Sequence, residues 1–178
     1  VTYDGIDARE LDAGSIRSRI GLVSADAMLF NDTVFQNLTL GRKVATLSEV
    51  ERACRAVGAE EFIAALPEAY QTTLGDWGFS LSLGQRHKLA IARMLIKDPD
   101  IVVLDESAAH LDGPAEREVL AALETALSGR TVVTIAHDLA SIVRADRIFV
   151  LNAGAMAETG THAQLMADFF HMQLNGES

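Results

Sequence analysis

The sequence has 178 residues, and its 49% hydrophobic content is enough for one globular domain, with or without a small inserted lobe. A net charge of −10 at pH 7 argues against nucleic acid as a partner, because phosphate contacts need clustered Lys and Arg. The single cysteine, Cys54, excludes an internal disulfide, and no apolar run reaches the ~18 residues that a membrane-spanning helix needs.

The first predicted elements are a strand at residues 20–23 and a mostly helical stretch over residues 46–97. Ser48 and Glu51 have the spacing of a capping box, in which each residue satisfies a backbone N–H of the other. They predict the start of a helix, and the helical spacing of its apolar residues places Cys54 in the core.

A second short helix is predicted over residues 59–66, ending at Pro67, and a third is predicted to begin at Ser82. Gln85 follows three residues later, which is again the spacing of a capping box, and apolar residues then recur at helical intervals. The helix is expected to stop before Asp98-Pro99, because a proline disfavours helical geometry in the residue that precedes it.

Three short runs of branched apolar residues in the second half predict buried strands at residues 101–104, 131–135 and 147–151. The turn sequence at residues 152–154 predicts that the last of them opens a terminal hairpin. Because apolar strands alternate with helical patterns, we expect an α/β fold with a mostly parallel sheet covered by helices on both faces. The helical stretch 46–97 would be an inserted lobe.

Asp105 and Glu106 follow the first of these strands. In open α/β sheets, ligands bind beyond the carboxyl ends of the strands. A carboxylate there can hold Mg²⁺, and a neighbouring glutamate can act as general base towards a water molecule. The alternative reading of this pair is an ordinary charged cap after a strand.

The turn at Ser82, Gly84 and Gln85 is a candidate phosphate site. The start of a helix offers unpaired N–H groups and positive potential to an anion. An ordinary helix cap is the alternative. His137 ends a predicted strand and could reach a phosphate there, although a lone histidine is more often structural.

Asp112 is most simply the cap of the following helix. The remaining histidines show no metal-ligand spacing and are predicted to be surface or loop residues; they are His87, His110, His162 and His171.

In this order, these segments resemble the ATP-binding cassette of ABC transporters over essentially the whole chain. Residues 81–85, LSLGQ, are similar to the family signature LSGGQ, and residues 101–106 are similar to the Walker B strand with its glutamate. Residues 109–112 resemble the D-loop, and His137 falls at the switch histidine. Residues 62–78 are similar to the LPxGYxTxxGExG segment that is common in exporters.

The resemblance implies a P-loop NTPase-like fold that binds and hydrolyses ATP with Mg²⁺. Two cassettes of this family dimerise head to tail, so that ATP lies between the Walker A loop of one and the signature of the other. Ser82, Gly84 and Gln85 would contact the ATP of the second cassette, in a homodimer or a heterodimer.

The chain's own ATP site would use other residues. By resemblance, Asp105 would bind the metal, and Glu106 and His137 would be catalytic. Asp112 would reach the nucleotide across the interface.

The resemblance also divides the chain. Residues 1–45 would be part of the ATPase core with the Q-loop region, residues 46–97 the α-helical subdomain with the signature, and residues 98–178 the rest of the core with the C-terminal hairpin and helix. Residues 26–40 would face the transmembrane domain of an exporter, which places the cassette at the cytoplasmic face of a membrane.

Three positions depart from the family pattern. Ala25 replaces the Q-loop glutamine, Leu83 replaces the first signature glycine, and Ala109 replaces the D-loop serine. Two alternatives stay open beside an exporter ATPase, and Ala25 and Leu83 motivate the first of them. One is a degenerate, regulatory cassette with little hydrolysis, and the other is a soluble ABC-type ATPase without a transport role.

The phosphate-cradling sequence G-x-x-x-x-G-K-[ST] does not occur in the 178 residues, and the sequence starts at Val1. We therefore expect an N-terminally truncated cassette with an unpaired sheet edge. Because the loop that holds the phosphates is missing, the chain alone is expected to be inactive as an ATPase.

Overall fold

The computed structural model describes residues 1–24, 28–75, 80–105, 123, 126–136 and 142–167. The chain divides into two compact units, Val1–Ile135 and Ala136–Ser178. The first unit contains a parallel sheet with helices, and the second contains a β-hairpin. Within the described residues, no helix is both long and apolar enough to cross a membrane.

The first unit begins with a small antiparallel hairpin, β1 (Thr2–Tyr3) and β2 (Ile6–Asp7). A 3-10 turn (Ala8–Glu10) leads to helix α1 (Ala13–Arg19). Asp12 caps α1, because its carboxylate accepts a hydrogen bond from the Ser15 N–H at 2.7 Å.

Four further helices make up the helical part of this unit, and three of them begin at a capping side chain. Their apolar faces meet in one core, which includes Leu38, Cys54 and Leu89. The helices are α2 (Val34–Thr39), α3 (Leu47–Ala56), α4 (Glu60–Ala64) and α5 (Leu83–Lys97), with a 3-10 turn (Ala69–Gln71) before α5.

Helix α3 begins two residues earlier than the sequence predicts. The sequence contains two overlapping pairs with capping-box spacing, Thr46 with Glu49 and Ser48 with Glu51. In the structure, the first pair forms the capping box. Thr46 Oγ1 accepts from the Glu49 N–H at 3.3 Å, and Glu49 accepts from the Thr46 N–H at 2.8 Å. The expectation that Cys54 is a core residue is confirmed.

The parallel sheet has the order β3 (Ile20–Val23), β4 (Ile101–Asp105) and β5 (Thr131–Ile135). Helix α5 covers one face at very close range. A Cβ atom placed on Gly21 would lie 2.7 Å from Pro99 Cγ and 2.9 Å from Met94 Cγ. Glycine at this position therefore lets α5 and the following turn approach β3.

On the other face of the sheet, some apolar strand residues are exposed. Leu22 is 62% exposed and Ile135 is 53% exposed, although both are apolar strand residues. All five residues of β5 are exposed, and β4 is its only pairing partner among the described strands.

The second unit contains the predicted hairpin, formed by β6 (Ile148–Asn152) and β7 (Ala155–Gly160). Ala153 and Gly154 both have positive φ, at 48° and 79°, which is the geometry of a two-residue turn that matches strand twist. A helical turn follows over residues 162–167.

His87 is not the surface residue that the sequence predicts. It lies on α5, four residues before Ile91 and seven before Met94, so the helical repeat turns it towards the core. All three side chains are buried. His162 is in the helical turn of the second unit, while His110 and His171 lie outside the described residues.

Candidate functional site

The signature-like turn is held by its own hydrogen bonds. Ser82 is the N-cap of α5, and its Oγ accepts from the Gln85 N–H at 3.2 Å. The Gln85 Oε1 atom accepts from the Ser82 N–H at 2.9 Å, which completes a capping box. Because the Ser82 hydroxyl accepts in this contact, its hydrogen can still be donated outward.

This end of α5 is suited to an anion. Ser82 and Leu83 are exposed, and Gly84 and Gln85 are half-buried. The first turn carries no acidic residue, so nothing there opposes the positive potential of the helix start. A helix of 15 residues with an exposed N-terminus and an adjacent hydroxyl can bind a phosphate group.

Leu83 is the departure from the family signature that the structure describes. It is the first residue of α5, and its side chain is 54% exposed. The larger residue is therefore accommodated without burial in this chain. It presents a branched apolar side chain next to the hydroxyl of Ser82.

Asp105 is the last residue of β4 and pairs in register with Ile135 of β5. It thus stands at the carboxyl edge of the parallel sheet, as the sequence predicts, and is half-buried. A carboxylate at this edge is a hard oxygen ligand of the kind that Mg²⁺ prefers. No group of three or more His, Cys, Asp or Glu side chains forms a metal cluster among the described residues.

The structure brings together Ser82 and Gln85, while Asp105 lies on a different element. Among described residues, no hydrogen bond joins Ser82 or Gln85 to Asp105. The other site predictions lie outside the described residues and remain predictions; they are Glu106, Asp112 and His137, together with the departures Ala25 and Ala109.

Cys54 has no features of a reactive thiol. Burial raises its pKa from 9.0 to about 11, and the neighbouring Tyr70 hydroxyl only partly opposes this. Burial also raises the pKa of Tyr70. A thiol that stays protonated at physiological pH is a poor nucleophile, so Cys54 is a packing residue.

Two polar residues escaped the sequence analysis, Arg93 of α5 and Asn37 of α2. The Arg93 guanidinium donates to the backbone oxygen of Asn37 at 2.8 Å and of Met28 at 2.9 Å. The signal was present in the sequence, because Arg93 follows Leu89 by four residues and thus falls on the apolar face of α5.

Residues 1–109 match the family described as ABC transporter. The chain is 46% identical over 168 residues to an ATP-dependent lipid A-core flippase of Thiobacillus denitrificans, covering 94% of this chain and 29% of that protein. It is 44% identical over 167 residues to the ABC transporter aclQ of Aspergillus oryzae, covering 94% and 21%.

The solved structure of a bacterial Atm1-family ABC exporter with ATP bound superposes with a TM-score of 0.86 at 36% identity. The match covers 98% of this chain and 31% of the exporter chain, so the chain spans less than a third of these relatives. These matches support an exporter cassette and do not favour the two alternatives, a degenerate cassette or a soluble ATPase.

Proposed function

The chain belongs to the ABC transporter family, and on that basis we propose that it is an ATP-binding and ATP-hydrolysing cassette of an exporter. The observation that carries the proposal is the hydroxyl-capped start of α5, where Ser82 is exposed and Gly84 and Gln85 are half-buried. In the proposed assembly, this turn binds the γ-phosphate of ATP held by a second cassette.

The Ser82 hydroxyl donates to a phosphate oxygen while its oxygen keeps the cap with Gln85, so that one side chain orients the helix and contacts the substrate. The N–H groups of the first turn add fixed positive potential that needs no rearrangement when the phosphate arrives. The absence of a side chain on Gly84 allows close approach of the backbone to the phosphate.

The other half of the reaction uses the carboxyl edge of the sheet. Asp105 would hold Mg²⁺, and the metal would supply positive charge that neutralises the phosphate oxygens. Glu106 takes a proton from the attacking water as general base, and His137 contacts the γ-phosphate. Asp112 reaches across the interface between the two cassettes.

Two partners follow from this function, a second cassette and a transmembrane domain. Residues 26–40 are proposed to face the transmembrane domain at the cytoplasmic side of the membrane. The exposed apolar side chains of Met28 and Phe30, 48% and 51% exposed, support this placement, because they offer apolar surface to a partner.

The proposal is tested by Glu106→Gln in the assembled transporter, with steady-state phosphate release as the measurement. Glutamine cannot accept the proton, so we expect kcat to fall at least about a hundredfold. The matched control is Glu60→Gln, an exposed carboxylate paired with Arg55, which should leave kcat within about twofold. An unchanged kcat in Glu106→Gln contradicts the catalytic role.

A further inference from the structure

Arg93 is a cation on the core-facing side of α5. Its guanidinium donates to three neutral oxygens: Nε to Asn37 O at 2.8 Å, Nη1 to Met28 O at 2.9 Å and Nη2 to Asn37 Oδ1 at 3.3 Å. No carboxylate among the described residues accepts a hydrogen bond from it. Removing a charged group from water costs free energy, and hydrogen bonds within the protein must offset that cost. For Arg93, the three hydrogen bonds to these oxygens provide the offset.

Asn37 continues the network into the segment before α2. Its side chain is buried, and its amide nitrogen donates to the backbone oxygens of Phe30 at 2.9 Å and Thr33 at 3.1 Å. Its Oδ1 atom accepts from the Phe30 N–H at 2.8 Å. The buried Asn37 side chain thus joins the loop before α2 to itself by hydrogen bonds, and Arg93 joins that loop to α5 by hydrogen bonds.

The outer side of this loop is apolar and exposed, at Met28 and Phe30. We call these two residues the tip. Each of them is held through its backbone by one polar side chain. Arg93 donates to the Met28 carbonyl, and Asn37 bonds with both the N–H and the carbonyl of Phe30. The tip is therefore held through its backbone, which leaves its side chains free for contact.

The other end of α5 carries the phosphate-binding turn of the proposed function. Arg93 follows Gln85 by eight residues, or about 12 Å along one continuous helix. Two hydrogen-bonded side chains and about two turns of helix thus connect the tip to the signature turn.

We infer that Arg93 and Asn37 form a clasp that makes the tip and the signature turn move as one body. Arg93 is thus a positioning residue for ATP hydrolysis, because it transmits docking of the transmembrane partner at the tip to Ser82. This inference rests on the proposed function. An arginine is required, since the single ammonium of lysine cannot reproduce the planar fork that reaches three oxygens.

The first arm of the test needs no nucleotide. Hydrogen exchange of the peptide covering residues 28–37 is compared between wild type and Arg93→Lys in the assembled transporter. Loss of the fork should raise exchange in this peptide about tenfold. The matched control is Arg55→Lys, which likewise replaces a guanidinium fork, here the exposed two-point contact with Glu60, and should leave the peptide unchanged. Unchanged exchange in Arg93→Lys overturns the clasp.

The second arm separates positioning from simple anchoring by a double-mutant cycle on ATP hydrolysis. Arg93→Lys and Phe30→Ala should each lower kcat about threefold to thirtyfold, with little change in KM for ATP. If both residues act through one route, kcat of the double variant should lie within about twofold of kcat of the less active single variant. Effects on kcat that multiply in full overturn the coupling, because the two residues then act independently.

The two possible failures are distinguishable. If the wild-type transporter hydrolyses no ATP, both the proposed function and the coupling are wrong. Hydrogen exchange of residues 28–37 would still show whether Arg93 holds the loop. If wild type hydrolyses ATP and only the cycle is multiplicative, the coupling alone is wrong and the cassette function stands.

Discussion

Ser82 has two roles in this account, as helix cap and as phosphate ligand, and three substitutions separate them. Ser82→Ala removes both the cap and the hydroxyl. Ser82→Asn and Ser82→Asp keep a side-chain acceptor for the Gln85 N–H, because Asn, Asp and Ser are comparable N-caps. Only Ser82→Asp adds a negative charge where the phosphate is proposed to bind.

The expected magnitudes follow from the geometry of the turn. Losing the 3.2 Å bond to the Gln85 N–H should cost about 1 kcal/mol, which raises hydrogen exchange in the first turn of α5 about fivefold in Ser82→Ala. Exchange in Ser82→Asn and Ser82→Asp should stay within about twofold of wild type. In Ser82→Asp, a repulsion of only about 1.4 kcal/mol between the introduced carboxylate and the phosphate would lower kcat/KM for ATP about tenfold.

The assay combines hydrogen exchange of the peptide that contains residues 82–88 with ATP hydrolysis by the assembled transporter. We expect Ser82→Asp to be well capped and at least about tenfold less active than Ser82→Asn, since the two differ mainly in charge. Equal kcat/KM in these two variants would refute phosphate binding at Ser82. Unchanged exchange in Ser82→Ala would refute the cap.

Two further predictions concern the scaffold. Gly21→Ala should lower the free energy of unfolding of the cassette, measured by urea titration, by about 1–3 kcal/mol, because the new Cβ would lie within 2.9 Å of Pro99 and Met94. An unchanged free energy of unfolding would show that these side chains move aside. Cys54 should react with iodoacetamide at pH 8 about a hundredfold more slowly in the native than in the unfolded protein, because burial raises its pKa from 9.0 to about 11. Because the folded state binds the Cys54 proton more tightly than the unfolded state, the protonated thiol contributes stability below pH 9, and this stability is lost as the pH rises towards 11. Equal alkylation rates in the native and unfolded protein would contradict the raised pKa.

The sequence was most informative where a local signal and the tertiary structure agree. The Ser82–Gln85 capping spacing predicted the start of α5, and Asp98-Pro99 predicted its end at Lys97. The strands at residues 101–104 and 131–135 were predicted to within one residue, because branched apolar runs leave few alternatives.

It was less informative where two local signals compete or where packing decides. Ser48 and Thr46 both precede a glutamate by three residues, and spacing alone could not choose between them. Histidine is a polar residue type, which favours a surface position, but His87 lies one helical turn before Ile91 on the buried face of α5 and is therefore in the core. The helical spacing places Arg93 on the apolar face of α5, but it does not identify Asn37, which lies 56 residues away along the chain, as its partner.

In the proposed assembly, the Ser82 turn lies against the γ-phosphate of ATP held by a second cassette, and vanadate photocleavage tests this contact most directly. Orthovanadate trapped with ADP and Mg²⁺ occupies the γ-phosphate position, and ultraviolet light then cleaves the polypeptide at a serine beside it. In the assembled transporter, we expect cleavage of this chain at residue 82, dependent on nucleotide and abolished by Ser82→Ala. Trapping of vanadate without cleavage at residue 82 would contradict the claim.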